Sequence, residues 1–449
     1  MIKEFYVLAI GRLKMQCLLK GRYIPVDNCK ITITPQSGEA QTYTLSTDSS
    51  GLTPEIDITA PPLEYSQQPM ELMPYSLCDI AVERSGFNPV FIRGCQIFPE
   101  NTAIQEVNLD ENMQRAERAE IINIEANTLF GNFPPKIPED PVKPLPPPSS
   151  GVVLSQPVVP EFIIVHQGGP NSAGQDYTVR YNDYIKNVAS CEIYSTWPET
   201  TIRANIFCII SFTLNRIYTE WYRGKGKPFD ITNSTAFDHA FNYGRNVYEN
   251  ISVIVDEIFS TYIKRQGARQ PLLAQYCDGV KVQCPGWLTQ WGSKYLGDQG
   301  RTPYQIITNF YGSDVELTTA EQVQGIPKSY PGYTLTIGSS GTPVRTIQGY
   351  LNRISQNYPL IPKVSVDGQY GAKTAESVRV FQSIFSLPQT GNVDYATWYQ
   401  LSNIYVGVTK IAELRGVEDD RNRIFIPPKG ITDFYNPVTP SFVYSDDLL

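Results

Sequence analysis

No stretch of the 449 residues approaches the 18 or so consecutive apolar positions that a spanning helix needs, so no such helix is expected. A secretory signal is not evident either. The short apolar run Phe5 to Ile10 is followed at once by Gly11 and Arg12, without a small-residue cleavage site, so work outside a cell would require another exit route. Basic runs are missing and the formal charge is −8, which argues against a nucleic-acid partner or an anionic membrane surface. Charge is sparse at 18%, but 41% hydrophobic residues place the chain among globular rather than disordered proteins. Eight cysteines are too few for a disulfide framework in so long a chain and read as buried thiols; only Cys277 and Cys284, around an Asp278-Gly279 turn, lie close enough to bridge. There are two histidines, and His239 with those cysteines has no zinc spacing; neither metal nor cofactor is expected. No glycine-rich phosphate cradle or Ser/His/Asp order is present.

Tyrosine, in contrast, is abundant, with 28 against five methionines. Phenol rings stack on sugar faces, although tyrosine also fills β-rich cores.

The length predicts two to four domains, and the fold class reads as multidomain α+β. Ten of the 28 residues from Phe133 to Pro160 are proline, which predicts an extended, exposed, semi-rigid spacer dividing the protein in two. Before it, residues 1–132 read as an N-terminal antiparallel β-sandwich. Strands are expected within Arg22 to Thr34, Leu77 to Val82 and Val90 to Phe98, with a turn at Asp48-Ser49-Ser50-Gly51. After it, residues 161–328 form a mixed α/β region. Asp183 is placed to cap a helix carrying Ile185, Val188, Ala189 and Glu192 on one face, so a carboxylate lies on an apolar stripe. A second helix opens at Trp197-Pro198-Glu199 and turns Ile202, Ile206, Ile209, Ile210, Thr213 and Ile217 inward. A strand is expected over Phe229 to Thr232 and a third helix over Asn250 to Arg265. Residues 329–404 read as a three-helix unit, with Thr342 as N-cap before Pro343 and Asp394 capping the last helix. Residues 405–449 form an unassigned tail.

The residues Gly338, Gly341, Val344, Gln348, Leu351, Val366-Asp367-Gly368, Tyr370-Gly371, Thr374, Phe381-Gln382, Thr390-Gly391, Val393-Asp394 and Thr397-Trp398 occur in an order that resembles the peptidoglycan-binding domain of wall hydrolases. That resemblance implies a bacterial wall ligand. The segment Cys78 to Pro89 resembles the last strands of carboxypeptidase-regulatory or transthyretin-like sandwiches. Upstream of the helical unit, Tyr184 to Glu192, Trp197-Pro198-Glu199, Thr232 to Thr235, Phe241, Gly244, Ala274-Gln275-Tyr276 and Tyr295-Leu296 resemble the catalytic module of the stage II sporulation protein D (SpoIID) family of lytic transglycosylases. This chain departs from that family at Ile210, where an arginine is usual. The whole arrangement resembles clostridial spore cortex-lytic enzymes. It implies spore cortex peptidoglycan as substrate, activation by a subtilisin-like germination protease, and residence at the cortex or coat-cortex boundary of the spore.

Cleavage of a glycosidic bond needs a carboxyl group that remains protonated near neutral pH, and burial on an apolar face favours that form. Glu192 is therefore the candidate catalytic acid. A lytic transglycosylase needs only one such group, because the residue that donates a proton can then accept one from the muramic C6 hydroxyl. A hydrolase would add a second carboxylate, for which Asp238 and Asp278 are candidates. A non-catalytic wall-binding scaffold is the remaining alternative. Trp197, Ser234, Thr235, His239, Tyr276 and Asp278 are the candidates for contact with sugar. Each has a bland counterpart: a turn for Ser234 and Thr235, a loop held by Gly279 for Tyr276 and Asp278, a structural histidine for His239 and likewise for His166.

Overall fold

The computed structural model describes residues 8–36, 41–112, 119–140 and 156–409. Eight strands build the N-terminal part: β1 (Ala9–Leu19), β2 (Lys30–Pro35), β3 (Tyr43–Ser46), β4 (Ile56–Ala60), β5 (Ser76–Glu83), β6 (Val90–Ile97), β7 (Thr102–Leu109) and β8 (Glu120–Asn123). Alternation makes them strands. Leu13, Met15 and Cys17 of β1, Ile31 and Ile33 of β2, and Cys78, Ile80 and Val82 of β5 all point inward and are buried. The expected turn forms at Asp48, whose carboxylate accepts from the amide of Ser50 at 2.8 Å.

The expectation of an antiparallel sandwich needs correction. One sheet has the order β3-β2-β5-β6-β8, the other contains β7-β1-β4, and the pairs β1/β7 and β6/β8 are parallel. The chain builds most of the five-stranded sheet between β1 and β7, and so long a crossover lets it return to β1 running in the same direction.

β9 (Val158–Val159) lies at the end of the proline segment, and beyond it come the hairpin β10 (Phe162–His166) and β11 (Asp176–Arg180), then α1 (Tyr181–Glu192) and α2 (Glu199–Tyr218). Helix α1 starts two residues before the expected cap, so Asp183 lies in its first turn, where a carboxylate favours the helix dipole. Helix α2 follows Pro198 and is buried almost all round, including all six residues expected to face inward. The short β12 (Ile231–Thr232) pairs in parallel with β10, and β13 (Val247–Tyr248) leads into α3 (Glu249–Ile258). Helix α3 stops well before Arg265. Residues Thr261–Arg265 form β14, which pairs antiparallel with β17 (Val315–Thr319), because Thr261, Tyr262 and Ile263 gain more from that ladder than from another helical turn. Between these lie β15 (Tyr276–Cys277), β16 (Leu288–Thr289), α4 (Gln290–Asp298) and α5 (Pro303–Tyr311), and β18 (Gln322–Val323) pairs with β9. Cys277 and Cys284 are joined in a disulfide, and the other six cysteines are buried thiols.

The two halves are not separated as the proline run suggested. Strand β13 adds to the edge of the β7-β1-β4 sheet, pairing Val247 with Ile104 and Tyr248 with Ala103. Gln96 and Asn246 exchange amide hydrogen bonds at 3.1 and 2.9 Å. Phe98 packs on Tyr75 from its own unit and on Tyr194 and Tyr248 from the other, all within 5.3 Å between ring centroids. One apolar core therefore runs through both.

The C-terminal unit is helical: α6 (Thr342–Ile354), α7 (Ala372–Ile384) and α8 (Tyr395–Thr409). Gly341 at φ 106° is the N-cap of α6, with Thr342 and Pro343 as its first residues, since only glycine enters that backbone region freely. Asp394 caps α8 as expected, accepting from Thr397 N at 2.9 Å. Two glutamines tie the turns to the helices. Gln348 bonds Asp367 Oδ1, Gln369 O and Gly368 N, and Gln382 does the same for Asn392 O, Thr397 Oγ1 and Gly391 N. Helix α8 packs on α3 through Phe259, Tyr395 and Tyr399. It continues to Thr409, and the rest of the expected tail lies outside the described residues.

Candidate functional site

Glu192 is the last residue of α1, which ends because Ile193 turns to extended backbone. The residue is 3% exposed, and its carboxylate points inward. Oε1 accepts from Ala240 N at 2.6 Å, and Oε2 accepts from the Tyr276 hydroxyl. Gln290 donates to the Glu192 carbonyl at 2.8 Å and fixes the helix end. Four separate segments therefore meet at this one residue, two of them on its carboxyl group. Burial pushes its pKa up, and this is only partly opposed by the Lys136 ammonium, the Tyr276 hydroxyl and the Ala240 amide. Tyr276 is itself driven well up by burial and by Glu192, so it remains a donor.

The cleft at Glu192 has a volume of about 80 Å³ and is lined by Thr235, Asp238, Tyr276, Asp278 and Gln290. Its remaining wall is the start of the proline segment. Residues 133–140 are extended and mostly exposed, as the composition suggested, but Lys136 and Glu139 turn inward, so the segment is tied down as a strap across the cleft. Ile137 N donates to Ala236 O at 2.7 Å, and the Glu139 backbone exchanges two hydrogen bonds with the Gln275 side chain at 3.0 and 2.7 Å. The Lys136 ammonium donates to Asp238 O and lies 4.6 Å from the Phe212 ring and 4.8 Å from the Tyr276 ring. Burial lowers its pKa to about 8, against the pull of Glu192 and Asp238. Glu139 forms a two-oxygen salt bridge with Arg216 of α2, at 2.6 and 3.1 Å. Lys281 holds the chain just before the strap, donating to Phe130 O and Gly131 O at 2.7 and 2.8 Å. An extended proline segment carries few internal hydrogen bonds, so what it packs against decides whether it is exposed.

The sequence candidates divide into two groups. Glu192, Thr235, Tyr276 and Asp278 do meet in the cleft. Trp197 does not: it is buried on Trp291 and Tyr194, with its indole N–H bonded to Ser66 O at 2.9 Å, so it joins the N-terminal part to the centre. Ser234 is a turn residue whose carbonyl accepts from Phe237 N and Asp238 N. His239 stands behind Tyr276, fully buried, with Nδ1 3.0 Å from Tyr184 Oη, and burial keeps it neutral. His166 is held by Asp176 and Ser172 O.

Both proposed second carboxylates are engaged in hydrogen bonds. Asp238 accepts from Arg216, Tyr222, Thr232 N and Thr232 Oγ1, all within 2.9 Å, and has no exposed surface. Asp278 spends its oxygens on the amides of Lys281 and Val282 in its own turn. Gly279 at φ 78° shapes that turn. Ile210 is a core residue, and the buried arginine of α2 is Arg216.

Lys136, Glu139, Arg216 and Gln290 were not foreseen. Only Arg216 carried a signal, as a charge near the end of a helix apolar on every side, which must find a buried partner. A larger cavity of 310 Å³ lies where the sandwich, α1 and the C-terminal unit meet. Among its lining groups Lys186 pairs with Asp256 at 2.8 Å and Tyr23 donates to Asp183 at 3.2 Å. Among the described residues no group of three or more His, Cys, Asp or Glu could hold a metal ion, and no helix is long and apolar enough to cross a membrane.

Residues 340–401 match the protein family described as "Putative peptidoglycan binding domain", which covers α6, α7 and the first half of α8. No curated protein matches the chain, and no solved structure does.

Proposed function

We propose that the chain is a lytic transglycosylase of spore cortex peptidoglycan, made as a zymogen and anchored to its polymer by the C-terminal domain. The matched domain supports association with peptidoglycan. The observation that carries the catalytic reading is the state of Glu192: one buried carboxyl group, its pKa raised, held by a phenol and an amide, with both neighbouring aspartates engaged. Such a group gives its proton to the glycosidic oxygen of a muramic acid unit and, as carboxylate, takes one from the C6 hydroxyl as that oxygen closes on C1. No water is consumed. Tyr276 and Ala240 N–H steady the carboxylate between the two steps.

Latency follows from the strap, which lies across the cleft that a glycan strand would need. A cut between residues 141 and 155, which lie outside the described residues, leaves Glu139 and Lys136 close to a new chain end, from which the strap can peel away. Val158 and Val159 are buried in β9, which favours a cut before them. A subtilisin-like germination protease is the proposed activator.

The test is product chemistry. Protein cut in the spacer and incubated with cortex peptidoglycan should release muropeptides with 1,6-anhydromuramic ends, one water lighter than reducing ends and resistant to borohydride. Reducing ends would replace the reading with hydrolysis, and no release would leave a wall-binding scaffold.

A further inference from the structure

Arg216 is 1% exposed, and three aromatic rings confine its guanidinium: Phe212 at 4.7 Å, Trp221 at 5.1 Å and Tyr222 at 5.7 Å. From its own module it receives Asp238 Oδ1 on Nε at 2.7 Å and Phe237 O on Nη2 at 3.0 Å. The paired donors of Nη1 and Nη2 are turned instead to the strap, where they hold both oxygens of Glu139. A strap that leaves the cleft takes Glu139 with it. Two N–H groups fixed in the plane that fits a carboxylate then face the space it vacates, and buried donors without acceptors are costly.

Resting on the reading of this cleft as a glycan site, we propose that Arg216 is its carboxylate-binding residue, and that Glu139 occupies in the intact chain the place of a substrate carboxylate. Donor geometry sets the ligand class: without the strap Arg216 keeps Asp238 on Nε, and its terminal N–H groups, which held both Glu139 oxygens, suit one planar carboxylate. Position agrees, because Asp238, which grips Arg216, is two residues from Ala240, which grips Glu192, so the two anchors are no more than about 7 Å apart along the backbone. Peptidoglycan carries carboxylates in two places, on the lactyl arm of muramic acid and on the peptide stem.

The experiment uses the full-length chain with Glu192→Gln to prevent turnover and with Lys136→Ala and Glu139→Ala to loosen the strap. Calorimetry compares three tetrasaccharides of alternating N-acetylglucosamine and N-acetylmuramic acid: one with free lactyl carboxylates, one with those groups amidated, and one carrying a peptide stem whose end is the free carboxylate. At least one carboxylate form should bind about tenfold or more tighter than the amidated form, and which one identifies the source. The same chain with Glu139 and Lys136 intact should lose that preference. Arg216→Gln should abolish it too; if that variant fails to fold, the ligand series still decides. Equal affinity for all three glycans would overturn the role of Arg216 while leaving a glycan cleft. No binding of any of them would overturn both.

Discussion

The C-terminal domain and the Glu192 cleft are built in opposite ways. In the domain, the two glutamines that tie turns to helices reach partners within 21 residues: Gln348 to residues 367–369 and Gln382 to residues 390–397. In the cleft, partners come from 48 to 84 residues away: Glu192 from Ala240 and Tyr276, Arg216 from Glu139. Local construction leaves a readable pattern and a family match. Long-range construction produces a site in which charges are buried, matched and raised in energy, which chemistry needs and stability does not.

That contrast predicts unequal sensitivity. The largest loss of stability should follow Asp238→Ala, which takes one of two carboxylates from a fully buried arginine and leaves the buried Tyr222 hydroxyl and Thr232 amide without their acceptor; about 3–5 kcal/mol is expected, read as a drop in the denaturation midpoint of the full chain. Tyr276→Phe should leave the fold in place but lower muropeptide release by cut protein by roughly 10- to 100-fold, the worth of a hydrogen bond to a charged group. Because that hydroxyl holds the Glu192 pKa down, its removal should also move the corresponding limb of the pH-rate profile to higher pH. In the C-terminal domain, Gln382→Ala should cost about 1–3 kcal/mol in a separate polypeptide of residues 329–409, since it leaves the buried Gly391 amide without its acceptor. That polypeptide should fold and sediment with insoluble peptidoglycan; a folded fragment that stays in solution would break the comparison at its simpler side.

The smallest effect has an unusual sign. A carboxyl whose pKa is raised on folding binds its proton more tightly in the folded state, so its contribution falls as pH rises from the unfolded value, near 4.5, through the folded one. Glu192→Gln should therefore remove this loss and leave the melting temperature at pH 7 to 8 unchanged or higher, measured by scanning calorimetry. A lower melting temperature would mean that the carboxylate is structural.

Much of this molecule was legible in its sequence, and what was not shares one cause. The capping of α8 by Asp394, the inward face of α2 and the placing of Glu192 on an apolar stripe depend on neighbours three or four residues away. A repeat could have been read as well: Val344-Arg345-Thr346-Ile347-Gln348 returns as Val378-Arg379-Val380-Phe381-Gln382, with the same glutamine role. The parallel pairs of the sandwich, the change from α3 to β14, the addition of β13 to the N-terminal sheet and the docking of the strap each depend on a distant partner. Proline content says that residues 133–140 are extended, and distant partners such as Arg216, Ala236, Asp238 and Gln275 decide where they lie.

The central claim is that Glu192 is the acid and the strap holds it idle. One time course addresses it directly: muropeptide release from cortex peptidoglycan by intact protein, by the same protein cut between residues 141 and 155, and by cut protein carrying Glu192→Gln. The account predicts release only from the cut wild-type chain, with the Gln variant slower by on the order of 10² to 10⁴ while still bound to the polymer. Equal rates for intact and cut protein, or full activity in the Gln variant, would contradict it.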